Sequence, residues 1–351
     1  MSEISDVSIR KTTFSVIWRL GNFLGSLALT FLGLTAVTFV IGRFITVDPV
    51  LAVVGDRATR EVYEAARISM GLDRSVPEQY FLYLKKLLSG DLGHSVITSH
   101  SVLSDLIHFF PATFELATIA TVLGVVIGVP VGVMAGAHKG RWPDHLVRVI
   151  GLFGYSIPVF WLGLVGLLVF YGELDWVSGP GRLDVAYDDI VTSRTGIILI
   201  DSAIEGEWAI FWNAFSHLVL PASILGYYSL AYIARMTRSF MIEQLSQEYV
   251  TAARIKGRSY YGAVWKHAFP NIMVPLITVI GLSYASLLEG AVLTETVFAW
   301  PGLGNYITRS LFNGDMNAVL GGTLVVGAVF IGVNLFCDFL YKIFDPRLRT
   351  A

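Results

Sequence analysis

The residues able to do chemistry are few and dispersed. Seven histidines and one cysteine, Cys337, stand among 351 residues. No Cys/His spacing suits a zinc ion, and a single cysteine cannot form an intrachain disulfide. No G-x-x-x-x-G-K-[ST] run is present, so the chain has no P-loop to cradle a nucleotide. A hydrolase working inside a membrane would need a Ser/His pair, paired aspartates or H-E-x-x-H in its apolar runs. His217, near the start of one such run, has no such companion. Two features remain. One is a lone acid, Glu289, in the apolar stretch Leu-Leu-Glu-Gly. The other is EYVTAARIKGRSYYGAVWKHAFPN, Glu248 to Asn271, a basic, small-faced stretch between two apolar runs. A carboxylate at membrane depth costs several kcal/mol unless it is neutral, paired or facing water. Glu289 is therefore read as lining for a translocation pathway that contacts a cationic or amine-bearing solute. The competing readings place it near the outer interface or against a partner subunit. Asn334 and Asp338 are weaker candidates of the same kind.

Those residues must be positioned by membrane-spanning helices. Charged residues make up 15% of the chain, against about 25% in a soluble domain. Six runs are long enough to cross about 30 Å of hydrocarbon as helices. They are Phe23–Ile45, Thr113–Ala137, Leu146–Tyr171, Phe215–Arg235, Ile272–Thr294 and Ala318–Tyr341. Alternation over about ten residues, the mark of a barrel strand, is missing. The first run is too long for a secretory signal and no small-residue cleavage site follows, so it is read as a retained span. Lys and Arg cluster before span one, after spans two and four, and in the tail. The connection 173–214 holds only Arg182 and Arg194 against eight acids. By the positive-inside rule both termini and the Glu248–Asn271 segment face the cytoplasm. The expected organisation is an N-terminal segment 1–22, a first span 23–45, an outer loop 46–112, a spanning core 113–344 that includes a cytoplasmic loop 236–271, and a tail 345–351. In the outer loop, Arg60–Met70 and Pro77–Leu88 read as helices broken at Gly71, with Tyr80, Tyr83, Leu84, Leu87 and Leu88 at helical spacing.

Three motifs carry more detail. Gly124, Gly128, Gly132 and Gly136 recur every fourth residue of span two, a stripe that lets another helix approach closely. It serves packing within the chain or between subunits. In the basic segment, Tyr249, Ala252, Ala253 and Lys256 share a helix face, Gly257 is placed to end that helix, and Pro270 to open the fifth span. The alternative is a plain basic loop on anionic lipid. Pro158 in span three predicts a kink, with Tyr155 and Trp161 packing the helix. Trp300-Pro301-Gly302 reads as a tight turn with an interfacial aromatic.

The segment "TAARIKG" followed by "HAFP" resembles the Glu-Ala-Ala loop of permease subunits of ABC importers. Thr251 stands where that family has an acid, and His267 and Phe269 stand where it has Ile and Leu. The segments "GLDRSVPEQYFLYLKKLLSGDLGHS", "SIPVFWLGL", "TETVFAWPGLG" and "DPRLR" resemble, in order, those of the dipeptide/oligopeptide permeases. The likeness covers nearly the whole chain and is weakest over Glu173–Trp212. It implies an all-α polytopic protein of the type I ABC importer permease fold, without enzymatic activity or cofactor of its own. It also implies a second related permease, two ABC ATPase subunits, an extracytoplasmic solute-binding protein and a lipid bilayer as partners, with no nucleic acid. Glu248, Ala252, Ala253, Lys256, Gly257 and Pro270 would couple to the ATPase, and Trp300, Pro301 and Gly302 would lie at the outer gate. The implied solute is a di- or oligopeptide; relatives of this type also carry nickel, sugars and other solutes. An ion-driven carrier or channel would need several paired intramembrane charges, and Glu289 has few companions.

Overall fold

A computed structural model of the chain describes residues 21, 25–41, 49–55, 57–187, 190 and 192–344. The expected N-terminal segment other than Gly21, both ends of the expected first span, and the tail 345–351 lie outside the described residues. Apart from one isolated bridge, His94–Ser101, the regular structure described is helical. The chain divides into two compact units, Met1–Leu103 with Ser310–Gly327 and Ser104–Arg309 with Ala328–Ala351.

The first unit holds α1 (Gly25–Ile41), α2 (Pro49–Val54), α3 (Arg60–Ser69) and α4 (Val76–Leu88). The two loop helices fall where periodicity placed them, parted at Gly71 with φ +72°. A capping box starts α4. The Glu78 carboxylate accepts from the Ser75 N–H at 3.1 Å and its hydroxyl at 2.9 Å, and those two bonds hold its pKa below the ordinary value. Tyr80 and Tyr83 then reach α1. Tyr80 pairs with Thr35 at 3.0 Å and Tyr83 with Thr38 at 3.4 Å, and both rings sit within 6 Å of Phe39. The last helix, α14 (Met316–Phe344), starts in this unit behind a buried acid, Asp315. One Asp315 oxygen accepts from the Ala318 N–H at the helix start. The other accepts from the Ser95 hydroxyl at 2.5 Å and the Val96 N–H at 2.8 Å.

The second unit contains the greater part of the apolar helices. They are α5 (Val102–Ala137, from Ser104 onward), α6 (Trp142–Ser156), α7 (Val159–Gly166, running into a π-helical turn Leu167–Glu173), α8 (Ile198–Glu205) and α9 (Trp208–Leu245). Then come α10 (Glu248–Ile255), α11 (Tyr260–Ala263), a π turn Val264–Ala268, α12 (Phe269–Val297) and α13 (Leu303–Phe312, as far as Arg309). Among the described residues four helices are long and apolar enough to cross a membrane: α5, α9, the continuous run Tyr260–Val297, and α14. The pair α6–α7, bent at its middle, adds a fifth only when counted as one broken span, and α1 is a shorter apolar helix.

Helix ends differ from the expected spans for a physical reason. Hydropathy marks where side chains are apolar, whereas a helix continues until its backbone bonds are capped. So α5 begins eleven residues before Thr113, and α9 runs ten residues past Arg235. The fifth apolar helix starts at Tyr260, behind Ser259, whose hydroxyl accepts from the Gly262 N–H. Pro270 lies in the first turn of α12, as expected, and the π turn Val264–Ala268 joins α12 to α11 ahead of it. The third expected span bends by 92°. Ile157 precedes proline and is extended, with ψ 124°. Trp161 is half exposed on α7.

The glycine stripe packs inside the chain. A Cβ at Gly124 would stand 2.4 Å from the Ser229 hydroxyl, one at Gly132 2.6 Å from the Ala234 carbonyl, and one at Gly136 2.6 Å from Met241 Cβ. At Gly128 the nearest atom is the Leu230 carbonyl at 3.1 Å. All four contacts are with α9, so the two backbones meet almost directly. Gly132→Val is expected to cost about 1–3 kcal/mol through overpacking, read as a lower Tm of the purified protein. An unchanged Tm would mean that α5 and α9 do not meet there.

Candidate functional site

Thr113 and Ala137 lie about 36 Å apart along α5 at 1.5 Å per residue. Each marks one end of the second unit's bundle, and each end carries a polar cluster.

At the Ala137 end the basic segment is a short helix held on three sides. Gln247 is extended ahead of α10, and Gly257 closes it with φ +90°. The Arg258 N–H bonds to the Ala253 carbonyl and the Gly257 N–H to the Arg254 carbonyl, a Schellman closure of the kind glycine favours. The expected single face divides. Val250 and Ala253 are buried, and Val250 joins Met241, Val264 and Ile272 in one apolar cluster. Tyr249, Ala252 and Lys256 are exposed, as is Glu248 at the helix start. Tyr249 fixes the roll of α10: its hydroxyl donates to Gln244 of α9 at 2.8 Å and accepts from Asn271 of α12 at 3.0 Å. Tyr260 donates to the Ala137 carbonyl, and the Arg254 guanidinium lies 5.5 Å over the Tyr260 ring. The His267 Nε2 atom is buried without a hydrogen-bond partner.

Asp144, which the sequence reading passed over, anchors this end. Fully buried, it accepts from the Gly140 N–H at 2.8 Å, Arg148 at 3.2 Å and Arg238 of α9. The α5–α6 turn is thereby tied to α9, and α9 leads into α10.

At the other end Trp300 is buried to 1% exposure and is not an interfacial anchor. Its Nε1 donates to the Ala112 carbonyl at 3.0 Å. α12 ends in another Schellman closure, with the Trp300 N–H on the Glu295 carbonyl and a non-glycine residue, Ala299, at φ +47°. The Glu295 carboxylate is fully buried and organises the turn. It accepts from the Thr113 hydroxyl at 2.5 Å and the Asn305 N–H at 2.9 Å, while Thr113 accepts from the Leu303 N–H at 2.7 Å. A Cβ at Gly302 would stand 2.4 Å from that carboxylate, and one at Gly304 2.9 Å from it. The glycines of "TETVFAWPGLG" are thus the space the acid occupies, while Pro301 lies in the turn between Trp300 and Gly302. Beside it, Arg182 donates to Glu115 at 2.5 Å and to the Gly196 carbonyl at 2.8 Å, and lies 5.8 Å over the Trp300 ring. That pair fastens the 173–197 connection to α5. Both of its members are buried, so removing either leaves an uncompensated charge.

Two expected pathway residues stand apart from these clusters. Glu289 and Asn334 are both exposed on this chain, and Asn334 donates to the Phe330 carbonyl at 3.0 Å. The buried acid of α12 is Glu295, six residues beyond Glu289. A sequence signal for it existed: it lies inside the "TETVFAWPGLG" stretch, with two glycines seven and nine residues on.

Ala253→Leu is expected to overfill the buried side of α10 and cost about 1–3 kcal/mol, whereas Ala252→Leu, on the exposed side, leaves Tm unchanged. Equal effects would show that α10 is rolled differently. In the distant turn, Gly302→Ala is expected to lower Tm, while Ala299→Gly raises it by relieving the left-handed strain. A loss of stability in Ala299→Gly would contradict the turn geometry.

The family described as "Binding-protein-dependent transport system inner membrane component" matches residues 128–350, and its N-terminal companion, "Binding-prot-dependent transport system membrane comp, N-term", matches residues 18–117. Over 322 residues the chain is 44% identical to a "Probable D,D-dipeptide transport system permease protein" of Escherichia coli, covering 92% of this chain and 94% of that one. Over 327 residues it is 41% identical to a "Di/tripeptide transport system permease protein" of Pseudomonas aeruginosa, covering 93% and 97%. An inward-facing MetNI methionine ABC transporter structure aligns with 67% of this chain and 93% of its own at TM-score 0.48 and 17% identity. With one family matching 223 of its 351 residues, this chain belongs to the binding-protein-dependent transport system inner membrane components.

Proposed function

We propose that the chain is a permease subunit of an ATP-driven importer of di- and oligopeptides, that it forms part of the translocation pathway, and that α10 is its coupling helix. Relatives at 38–44% identity over more than nine-tenths of the chain, named as dipeptide or di/tripeptide permeases, support the solute class. The observation that carries the coupling role is the division of α10. Its inner flank, Val250 and Ala253, is buried, and Val250 is set in the same apolar cluster as Met241 of α9 and Ile272 of α12, so a push on the helix reaches both spans. Its outer flank, Tyr249, Ala252 and Lys256, is free for another protein. Packed helices transmit such a displacement as rigid bodies.

In this reading six helices span the inner membrane in the type I arrangement: α1, α5, α6–α7, α9, α11–α12 and α14. Both termini and α10 face the cytoplasm. ATP is hydrolysed by two separate ABC ATPase subunits, a second, related permease completes the pathway, and an extracytoplasmic solute-binding protein delivers the peptide. The Glu295–Thr113–Trp300 turn would lie at the outer gate, and Glu289 and Asn334, exposed on this chain, would face the pathway or the second permease.

Gly257→Asp is expected to remove the left-handed closure of α10 and cut solute-stimulated ATPase activity of the reconstituted complex at least about tenfold, a loss of about 1.4 kcal/mol, with membrane insertion preserved. Wild-type stimulation in that variant would overturn the coupling assignment.

A further inference from the structure

Beside α10 lies a cavity of about 750 Å3 that the coupling role leaves unused. It opens between the α5–α6 turn, the end of α9 and the segment from Val250 to Tyr261. His138, Lys139, Arg141 and Arg254 line it, with Glu243 as the one lining acid. The neighbouring cations Arg148 and Arg238 are both taken by Asp144. Lys139, Arg141 and Arg254 enter no ion pair among the described residues. Arg254 is held in place over the Tyr260 ring, and Tyr260 is itself bonded to Ala137, the last residue of α5 before the turn that carries Lys139. Three unneutralised cations are thus brought together by packing from two separate segments.

We propose that this cavity binds a phosphate group. Two guanidinium forks and an ammonium match its charge and its several acceptor oxygens. The cavity is concave and within the roughly 300–1,000 Å3 range of small-ligand sites, which favours a compact anion over an acidic face of another protein. Exposed aromatics flank the site: Trp142 follows Arg141, Tyr261 lines the cavity, and Trp265 stands one helical turn further on. Tryptophan and tyrosine at such places mark headgroup depth, where basic pockets between spans take anionic lipid headgroups. A free phosphate from solution has the same chemistry. At about 100° per residue, Thr251 and Arg254, on the cavity side of α10, lie well away from Tyr249, Ala252 and Lys256. An occupied cavity therefore leaves the outer flank open. If α10 couples as proposed, the ligand fastens it to the α5–α6 turn.

The test is made on the purified chain, wild type against Lys139→Gln/Arg141→Gln/Arg254→Gln and each single change. Native mass spectrometry after mixing with phosphatidylglycerol and phosphatidylcholine reads the lipid arm. The Tm shift with inorganic phosphate and pyrophosphate reads the soluble arm. Retention of phosphatidylglycerol that weakens about fivefold per charge removed supports the site with a headgroup as its source. A phosphate-induced rise in Tm that the triple variant loses, without lipid preference, supports it with a soluble source. Equal behaviour of wild type and all variants in both arms overturns the proposal. So does binding of a polyglutamate peptide that needs these residues while phosphate does not. Lys139 is exposed, so Lys139→Gln alone keeps the comparison usable if the triple variant does not fold. Binding is read without ATPase subunits, so normal coupling in Gly257→Asp would leave this result standing.

Discussion

The close approach of α5 to α9 is the constraint on which the second unit depends. Four glycines at every fourth position let the backbone of α5 meet Ser229, Leu230, Ala234 and Met241 of α9 with no side chain between. No other residue could stand there without moving α9. Once α9 is fixed, α12 has its place, because Ser229 of α9 pairs with Ser283 of α12 at 2.9 Å in the buried interior. In an apolar solvent helices gain little by hiding apolar surface, so close contact and short polar links must hold the bundle.

At both ends of that bundle a buried carboxylate does the fastening. Asp144 gathers the α5–α6 turn onto α9 with two arginines and a backbone N–H. Glu295 gathers the turn after α12 onto α5 through the Thr113 hydroxyl and the Asn305 N–H. The two differ in kind. Asp144 is neutralised by cations, whereas Glu295 meets only neutral donors, with glycines supplying the room. A third acid, Glu115, holds the loop carrying Arg182. Three segments of irregular backbone are thus tied to helices by carboxylate side chains.

Much of the fold was legible in the sequence because the bilayer makes long apolar runs speak for themselves. Helix type, the loop helices broken at Gly71, the closure at Gly257, the kink at Pro158 and the close-packing glycines all follow from local chemistry. Residues whose role is set by a distant partner were not legible. Glu295 is an ordinary acid near a helix end until Thr113, 182 residues earlier in the chain, is brought to 2.5 Å. Ala252 and Ala253 both belong to the expected face until the roll of α10 is set by Tyr249 reaching Gln244 and Asn271.

By itself the sequence determined that the chain is helical and membrane-embedded, where its breaks fall, and which motifs relate it to binding-protein-dependent permeases. Periodicity, capping and hydropathy act within a few turns, so they can be read along one strand of text. The tertiary structure alone decided which side of α10 is buried, that the glycine stripe serves α9 and not another subunit, that Trp300 is enclosed, and which cations are left without an acid. Those outcomes depend on pairing between different helices, from the neighbouring Gln244 and Asn271 at Tyr249 to Ala112 at Trp300, where the geometry of packed helices, not the spacing of letters, selects the partner.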